Sequence, residues 1–378
     1  MTTMAIDNKE KEVLNVPHLR FPEFSGEWNK YTINDLATVV GGGTPDTTVK
    51  SYWGGDIQWF TPSEIGKNKY VDFSKRTITR DGLDNSSAKL LPLHTILLSS
   101  RATVGECSIA SNECTTNQGF QSLIAKQCNI DFLYYLIQTK KKDLIRNACG
   151  STFLEISANE IRKIKVAVPV QNEQEQIAKL LSLIDERIAT QNKIIEKLQS
   201  LIKGLAAQLT QSGTPNIRLC DCLECHSSTL QENCVSVTGS YPVYGATGLI
   251  GYTNNYAYNG ESILIVKDGS GVGSLSYVND HFSVIGTLNY LTAKENYSIL
   301  YLYYALMAFN FTPYITGMAI PHIYFKDYGK AKLFYPSIEK RIRIASLLHN
   351  IEQKLVVEQN LVISLSAQKS YLLRMLFI

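Results

Sequence analysis

The sequence predicts an α+β protein made of two tandem repeats, each a globular domain of mixed helices and strands followed by one long helix. Three observations lead to this fold class. The chain has 378 residues, which suits two or three domains. Residues 150–209 align without a gap to residues 317–376, at an offset of 167 and with 13 identical positions. Each aligned stretch also carries apolar residues at heptad spacing, which is typical of a long helix paired with another helix.

The composition excludes a mainly disordered chain, because 44% of the residues are hydrophobic and only 19% are charged. The longest apolar stretch, residues 300–309, is too short to span a bilayer, and no apolar signal segment follows Met1. Eight cysteines without a pairing pattern are typical of reduced thiols. We therefore expect a cytoplasmic protein that has no membrane partner.

The order of elements is the same in both repeats. Short runs of strand-forming residues come first, at Thr95–Ser99 and Lys165–Val168 in one repeat and at Ser262–Lys267 and Lys332–Tyr335 in the other. A proline then separates the last strand from the long helix. The predicted division of the chain is an N-terminal segment 1–23, a first domain 24–170, a first helix 171–211, a linker 212–216, a second domain 217–337 and a second helix 338–378.

The two long helices are predicted to pair as an antiparallel coiled coil, because each has a heptad seam and the chain contains no other long helix. The alternative is that each helix packs only on its own domain. Polar residues interrupt both seams at the repeat-related positions Gln191 and Glu358, and Lys369 interrupts the second seam again. The predicted pairing residues are Ile177, Leu181, Ile184, Ile188, Ile195 and Leu198 in the first helix, and Ile344, Leu348, Ile351, Leu355, Val362 and Leu365 in the second.

Signatures of enzymes are missing from the sequence. It contains no dinucleotide-binding or phosphate-binding glycine loop, no nucleophile elbow, no zinc-protease motif and no adenine-methyltransferase tetrapeptide. We therefore expect no catalytic residues and no cofactor of its own. One cluster, Cys220, Cys222, Cys225 and His226, leaves two interpretations open, a structural zinc site or free thiols, although its spacing is not that of paired zinc knuckles.

The charge distribution gives only weak evidence about whether the chain binds nucleic acid. The first domain has 17 basic and 14 acidic residues, whereas residues 216–337 have 6 basic and 8 acidic residues. The second domain is thus not a strongly electrostatic nucleic-acid binder. It does contain 15 of the 21 tyrosines, and tyrosine, serine, threonine and asparagine side chains can contact phosphates and base edges without adding charge.

Several segments, taken in their order and spacing, resemble the specificity subunits of type I restriction–modification systems, and the resemblance covers nearly the whole chain. The segments are 17–28 (PHLRFPEFSGEW), 42–45 (GGTP), 52–57 (YWGGDI), 100–105 (SRATVG), 116–120 (TNQGF), 173–178 (EQEQIA) and 241–246 (YPVYGA). The second repeat departs from the pattern at residues 339–345, where basic residues replace the glutamine-rich start of the first long helix.

The resemblance implies a function. Each globular domain is a target recognition domain that reads one half of a split, asymmetric site in double-stranded DNA, and the paired helices act as a ruler for the unread gap. Two methyltransferase subunits that use S-adenosylmethionine, and restriction (translocase and nuclease) subunits that use ATP, are the implied partners. The chain itself is then a non-catalytic subunit.

Candidate DNA-binding side chains lie near predicted turns, where binding surfaces are usually built. Arginine can form two hydrogen bonds to guanine, and asparagine or glutamine can do so to adenine. Arg101 and Lys267 have an alternative role, the neutralisation of nearby carboxylates. The candidates are Lys75, Arg76, Arg80, Arg101, Asn117 and Gln118 in the first domain, and Lys267, Ser270, His322, Tyr324 and Lys326 in the second.

Two other functions are compatible with the sequence. A duplicated scaffold could bridge two protein partners without touching DNA, which the near-neutral charge favours. A nuclease or methyltransferase with an unrecognised site is the second alternative, which the missing signatures oppose.

Overall fold

The computed structural model of the chain describes residues 15–150 and 154–378. Most of the predicted N-terminal segment, residues 1–14, lies outside the described residues. The first domain contains ten strands, which are β1 Asn29–Thr32, β2 Ala37–Gly41, β3 Trp53–Phe60, β4 Tyr70–Val71, β5 Arg76–Ile78, β6 Ile96–Leu98, β7 Cys107–Ala110, β8 Cys114–Thr116, β9 Gln121–Ala125 and β10 Lys165–Val168. Its helices are α1 Ile33–Leu36, α2 Arg80–Asp84, α3 Ile130–Thr139, α4 Lys141–Arg146 and α5 Ala158–Lys163, and the long helix α6 Gln171–Thr210 follows.

Two sheets form the body of the first domain. One has five strands in the order β2-β9-β6-β7-β4, and the other has three strands in the order β5-β3-β8. Strands β3 and β8 are parallel although more than 50 residues separate them, so this pairing depends on the fold of the whole domain. The hydrophobic core lies between the five-stranded sheet and α3, where Phe132, Leu133 and Tyr135 are fully buried.

The second domain is built around one six-stranded sheet in the order β12-β17-β15-β16-β13-β14. Its strands are β11 Ile217–Arg218, β12 Leu223–Ser227, β13 Tyr241–Gly245, β14 Gly248–Thr253, β15 Tyr258–Val266, β16 Leu275–Val284, β17 Leu288–Ala293 and β18 Lys332–Leu333. Its helices are α7 Leu219–Cys222, α8 Ile299–Met307 and α9 Phe325–Tyr328, and the long helix α10 Ile338–Met375 follows. Helix α10 therefore begins at the predicted position, although its first residues differ from those at the start of α6.

The first and last strands of each domain pair with each other. In the first domain β1 is antiparallel to β10, with Asn29 opposite Val168, and in the second β11 is antiparallel to β18, with Ile217 opposite Leu333. The predicted strand Lys165–Val168 is confirmed at both ends, whereas β18 is shorter than predicted because only two of its residues pair with β11. Each domain therefore closes on itself directly before its long helix begins.

A tyrosine on the main helix of each domain holds a carboxylate on the adjacent long helix. Tyr135 of α3 donates a 2.6 Å hydrogen bond to Asp185 of α6, and Tyr304 of α8 donates a 2.7 Å hydrogen bond to Glu352 of α10. Asp185 and Glu352 are repeat-related at the offset of 167. Burial and the carboxylates raise the pKa of both phenols, so each tyrosine stays a hydrogen-bond donor at neutral pH. The two repeats thus dock on their long helices in the same way.

The long helices pack against each other, as predicted. The chain divides into two compact units. The first unit ends at Thr190 and also includes Val362–Ile378, and the second unit comprises Gln191–Leu361. In the first unit, Ile177 and Leu181 near the start of α6 share a core with Leu376 near the end of α10. In the second unit, Ile202 near the end of α6 shares a core with Leu348 near the start of α10. The start of each helix therefore lies beside the end of the other, which is an antiparallel arrangement.

Polar residues meet where the sequence interrupts the seams. Within the second unit the Gln191 side-chain amide donates a hydrogen bond to the Glu358 carboxylate, and Lys354 lies 4.0 Å from the same carboxylate. Within the first unit Lys369 forms a 2.7 Å ion pair with Asp185. All twelve predicted seam residues are buried or half-buried. Among the described helices, none is long and apolar enough to cross a membrane.

Candidate nucleic-acid interface

Three backbone segments converge at one edge of the first domain, and we call them the first junction. They are the turn 99–106 after β6, the segment 117–120 before β9, and the loop 149–156, of which 151–153 lie outside the described residues. The Ser100 amide donates to the Gly119 carbonyl at 2.8 Å, and the Ile156 amide donates to the Ser100 carbonyl at 2.9 Å. These backbone bonds hold the three segments together without using the side chains that project from them.

The second domain has an equivalent second junction, formed by residues 266–274, 285–288 and 316–323. The Lys267 amide donates to the Thr287 carbonyl at 3.0 Å, and the Ile323 amide donates to the Lys267 carbonyl at 2.9 Å. Two of the three segments correspond at the same offset of 167, because the bridges Arg101–Glu155 and Cys149–Glu155 in the first junction match Asp268–His322 and Thr316–His322 in the second. The third segment is shifted by one residue, since Gly119 corresponds to Thr287. The internal repeat therefore includes the junction as well as the long helix.

The turn that follows the first strand of each junction contains one residue with a positive φ, at the same repeat-related position. Ala102 has a φ of 63°, in the left-handed region that non-glycine residues rarely adopt, and its repeat-related partner Gly269 has a φ of 97°. A non-glycine residue in this region costs of order 1 kcal/mol, so the alanine is held by its surroundings. The turn places the preceding residue, Arg101, on the surface.

Three of the six first-domain candidates lie in the first junction. Arg101 is about half exposed, and its Nε lies 3.8 Å from a carboxylate oxygen of the equally exposed Glu155, near the outer limit for an ion pair. Asn117 is half-buried and accepts a hydrogen bond from the Gly119 amide at 2.9 Å, and its side-chain amide group has no acceptor among the described residues. Gln118 is exposed and accepts a hydrogen bond from the Thr44 hydroxyl. Arginine, asparagine and glutamine side chains can all form hydrogen bonds to base edges.

The other three first-domain candidates lie outside the first junction, on or next to β5 and α2. The guanidinium of Arg76 stacks on the ring of Trp53 at 3.6 Å and lies 5.4 Å from the ring of Trp59. Arg80 is exposed and forms a 3.2 Å ion pair with Asp84 one helical turn away. Lys75 is exposed, but only its backbone amide has a described partner, a carboxylate oxygen of Glu64 at 2.6 Å. The prediction that these three residues bind DNA stays a prediction.

All five second-domain candidates lie in or beside the second junction. His322 and Tyr324 have ring centroids 4.9 Å apart, and the ammonium of Lys326 lies 5.1 Å from the centre of the Tyr324 ring. Lys267 holds the junction through its backbone, and its side chain forms no ion pair among the described residues. Ser270 is exposed in the same turn. Residues that are distant in sequence are therefore brought to one place.

The sequence analysis missed three features of these surfaces. Glu155 faces Arg101 across the first junction, and it lies between Gly150 and Ile156, two positions that the repeat alignment had marked as identical in both repeats. Trp53 and Trp59, in perpendicular contact with centroids 5.0 Å apart, form the platform for Arg76. The exposed apolar residues Met318 and Ile320 at the tip of loop 316–322 were not considered, because binding residues were sought among polar types.

The cysteine cluster does not form a single tetrahedral site. Cys225 and His226 are neighbours on β12, where successive side chains point to opposite faces of the sheet. The His226 ring stacks on Tyr290, with centroids 4.7 Å apart, and bonds to the Thr292 hydroxyl at 2.9 Å. Burial raises the pKa of Cys225 to about 11 and that of Cys222 to about 12, which keeps both as thiols at neutral pH. This arrangement favours the free-thiol interpretation over a zinc site.

Comparisons with known proteins agree with the duplicated architecture. The family described as the type I restriction modification DNA specificity domain matches the chain twice, over residues 25–200 and 217–365. The chain is 39% identical over 183 residues to the type I restriction enzyme MjaIX specificity subunit of Methanocaldococcus jannaschii. This alignment covers 46% of this chain and 42% of that protein. The chain is also 25% identical over 361 residues to the type I restriction enzyme EcoprrI specificity subunit of Escherichia coli. This second alignment covers 86% of this chain and 87% of that protein.

The fold is also similar to that of a solved structure. The crystal structure of a type I restriction–modification system S subunit from M. genitalium has a TM-score of 0.64 and 19% sequence identity, and the match covers 96% of this chain and 99% of that chain. At this identity the similarity establishes the fold alone, and it confirms the predicted fold class. Since the two family matches together cover most of the residues and fall one on each repeat, the chain belongs to the family of type I restriction–modification DNA specificity proteins.

Proposed function

We propose that this chain is the DNA-recognition subunit of a type I restriction–modification complex, in which each domain reads one half of a bipartite double-stranded target. The observation that carries the proposal is the pair of repeat-related junctions, one in each copy of the family domain. Each junction presents side chains that can contact bases or phosphates on a backbone held by hydrogen bonds between its segments. The two junctions carry different side chains at equivalent positions, such as Arg101 and Asp268, which suits an asymmetric target.

The chemistry of the complex would then belong to the partners. We propose two methyltransferase subunits that modify adenines with S-adenosylmethionine, and restriction subunits that translocate and cut DNA with ATP. The role of this chain is to select the site and to position the partners. Such a role also implies a cytoplasmic location, where the DNA of a bacterium or an archaeon is found.

Sequence-specific binding by the assembled complex tests the proposal. The target is first identified by mapping modified adenines in cells that express the chain with its methyltransferase subunits. In a gel shift, the purified complex should retard a duplex that carries this target, and competitors with either half-site scrambled should compete at least tenfold less well. The methyltransferase subunits without this chain are the control. A complex that assembles fully but binds all duplexes alike would instead support the scaffold alternative.

Replacing Arg101 with alanine should weaken recognition of one half-site only. If the guanidinium reads a base, the substitution should cost about 1–3 kcal/mol of binding free energy at the half-site of the first domain and leave the other half-site unaffected. Competition with each half-site scrambled in turn measures this difference. Arg146→Ala is the matched control, because Arg146 is an exposed arginine of the same domain that is not among the candidates and pairs with Asp143 within α4. An equal loss for all sequences would mean that Arg101 contacts only phosphate.

A further inference from the structure

The loop 316–322 of the second junction presents two apolar side chains to solvent. Met318 is fully exposed and Ile320 is 65% exposed, and they stand two residues apart at the tip of the loop. Burying an exposed side chain of this size is worth about 1.5–3 kcal/mol, so the tip gains free energy from any surface that covers it. Neither residue contributes to the cores described for the second domain.

The tip is held in place by the backbone around it. Thr316 and His322 exchange two backbone hydrogen bonds, at 2.9 and 2.8 Å, and the Gly269 amide donates to the Pro321 carbonyl at 2.9 Å. Gly317 has a φ of 89°, and a Cβ atom on it would lie 2.3 Å from the Ile320 carbonyl oxygen, so only glycine fits there. The apolar tip is therefore presented in an ordered conformation, and little conformational entropy is lost when a partner covers it.

The surroundings and the size of the tip favour DNA as the partner. Lys267 and Lys326 are close to the base of the loop, together with the rings of His322 and Tyr324, which meet edge to face, although Asp268 lies there as well. A stable protein interface buries roughly 800 Å² on each partner, which is more than two side chains on a seven-residue loop can provide. A pair of neighbouring apolar side chains does match the size of one base step, into which DNA-binding proteins insert methionine, isoleucine or leucine.

We propose that Met318 and Ile320 form an apolar wedge that enters the duplex at the half-site of the second domain and partly unstacks one base step. The inference rests on the proposed function, since it takes the second junction as a DNA-reading surface. It adds a contact that requires no positive charge, in a domain whose formal charge is negative. Recognition by the wedge would depend on how easily the step unstacks, which differs among sequences.

The test uses the complex with its methyltransferase subunits and a duplex that carries the mapped target with 2-aminopurine in place of adenine. Binding of the unaltered complex should raise the fluorescence of a 2-aminopurine in the second-domain half-site at a position other than the methylated adenine, because unstacking relieves its quenching. The methylated adenine itself is left out, because a methyltransferase flips its target base from the duplex. The double variant Met318→Ala/Ile320→Ala should lose this rise and bind the target about tenfold more weakly. Val237→Ala is the matched control, because Val237 is 91% exposed in the same domain but outside the junction, and it should behave as the unaltered complex does.

Three outcomes overturn the wedge. One is specific binding by the unaltered complex with no fluorescence rise at any position of that half-site other than the methylated adenine. Another is a double variant that binds the target as tightly as the unaltered complex. The third is a double variant that no longer co-purifies with the methyltransferase subunits, which would assign the tip to a protein contact. In all three the unaltered complex still binds its target, whereas a complex without sequence-specific binding would contradict the proposed function itself.

Discussion

Deleting seven facing residues from each long helix is expected to shorten the gap between the two methylated half-sites by about 3 base pairs. Seven residues of α-helix span about 10 Å at 1.5 Å per residue, and each base pair rises about 3.4 Å. The half-site sequences should not change, because both domains stay intact. The result would follow if the paired helices set the distance between the two reading surfaces.

The contact between Gln191 and Glu358 determines which residues to delete. Counting outward from it along antiparallel helices places residues 186–192 opposite residues 357–363. Removing both segments leaves Ile195 four residues after Ile184, so the heptad seam continues. It also spares Asp185 and Glu352, the carboxylates that bind the tyrosines of the two domains.

Genome-wide mapping of modified adenines measures the gap directly. Deletion of residues 186–192 alone is the control, because it shifts one helix by two turns against the other and should abolish modification. A double deletion that modifies the same half-sites at the original gap would show that the helices do not set the distance.

Replacing Glu173 with alanine should destabilise the first compact unit by about 3–5 kcal/mol, the range expected when one partner of a buried ion pair is removed and the other remains. The Glu173 carboxylate is fully buried and accepts hydrogen bonds from Nε and Nη2 of Arg20, both at 2.8 Å, and from the Trp28 indole at 3.2 Å. The Arg20 guanidinium remains charged when its partner is removed, because arginine is protonated at neutral pH even without a carboxylate beside it. The substitution would therefore leave a mostly buried cation without its counter-ion.

Urea unfolding followed by tryptophan fluorescence reports on this unit, because all three tryptophans of the chain, at positions 28, 53 and 59, lie in it. Glu160→Ala is the matched control. Glu160 is a glutamate of the same unit that also forms a 2.8 Å ion pair, with Lys163, but its side chain is 41% exposed. Its loss should change stability by less than about 0.5 kcal/mol. A Glu173→Ala variant that is destabilised no more than this control would contradict the assignment.

The polar interruptions of the two seams were visible in the sequence, but their consequence was not. Gln191 and Glu358 could be located by counting heptads, because the side of a helix that faces a partner follows from local periodicity. That these two residues bond to each other depends on the relative register of two helices that are far apart in the chain. The same is true of Lys369, whose partner Asp185 lies outside the predicted seam residues.

The candidate DNA-binding residues show the same division. A search for charged and amide residues near turns identified one group of candidates that lies in the first junction, Arg101, Asn117 and Gln118. The same search identified Lys75 and Arg80, which lie outside the junction, and the sequence offered no means to tell the two groups apart. The structure separates them, because the pairing of β6, β7 and β9 brings the turn after β6 next to the segment before β9. Lys75 and Arg80 flank β5, which belongs to the other sheet.

The repeat, the two long helices with their seams and the family resemblance could all be predicted from the order of the amino acids. Each of these depends on residue types at fixed local spacing, and helix periodicity and repeat identity can be measured along a single chain. The packing of the domains brings the turns together at the junctions, sets Glu155 opposite Arg101, and leaves Met318 and Ile320 exposed beside Lys267. The junction contacts join residues that lie between 19 and 56 positions apart in the chain, and their formation depends on the order in which strands pair, which no local pattern of side chains specifies.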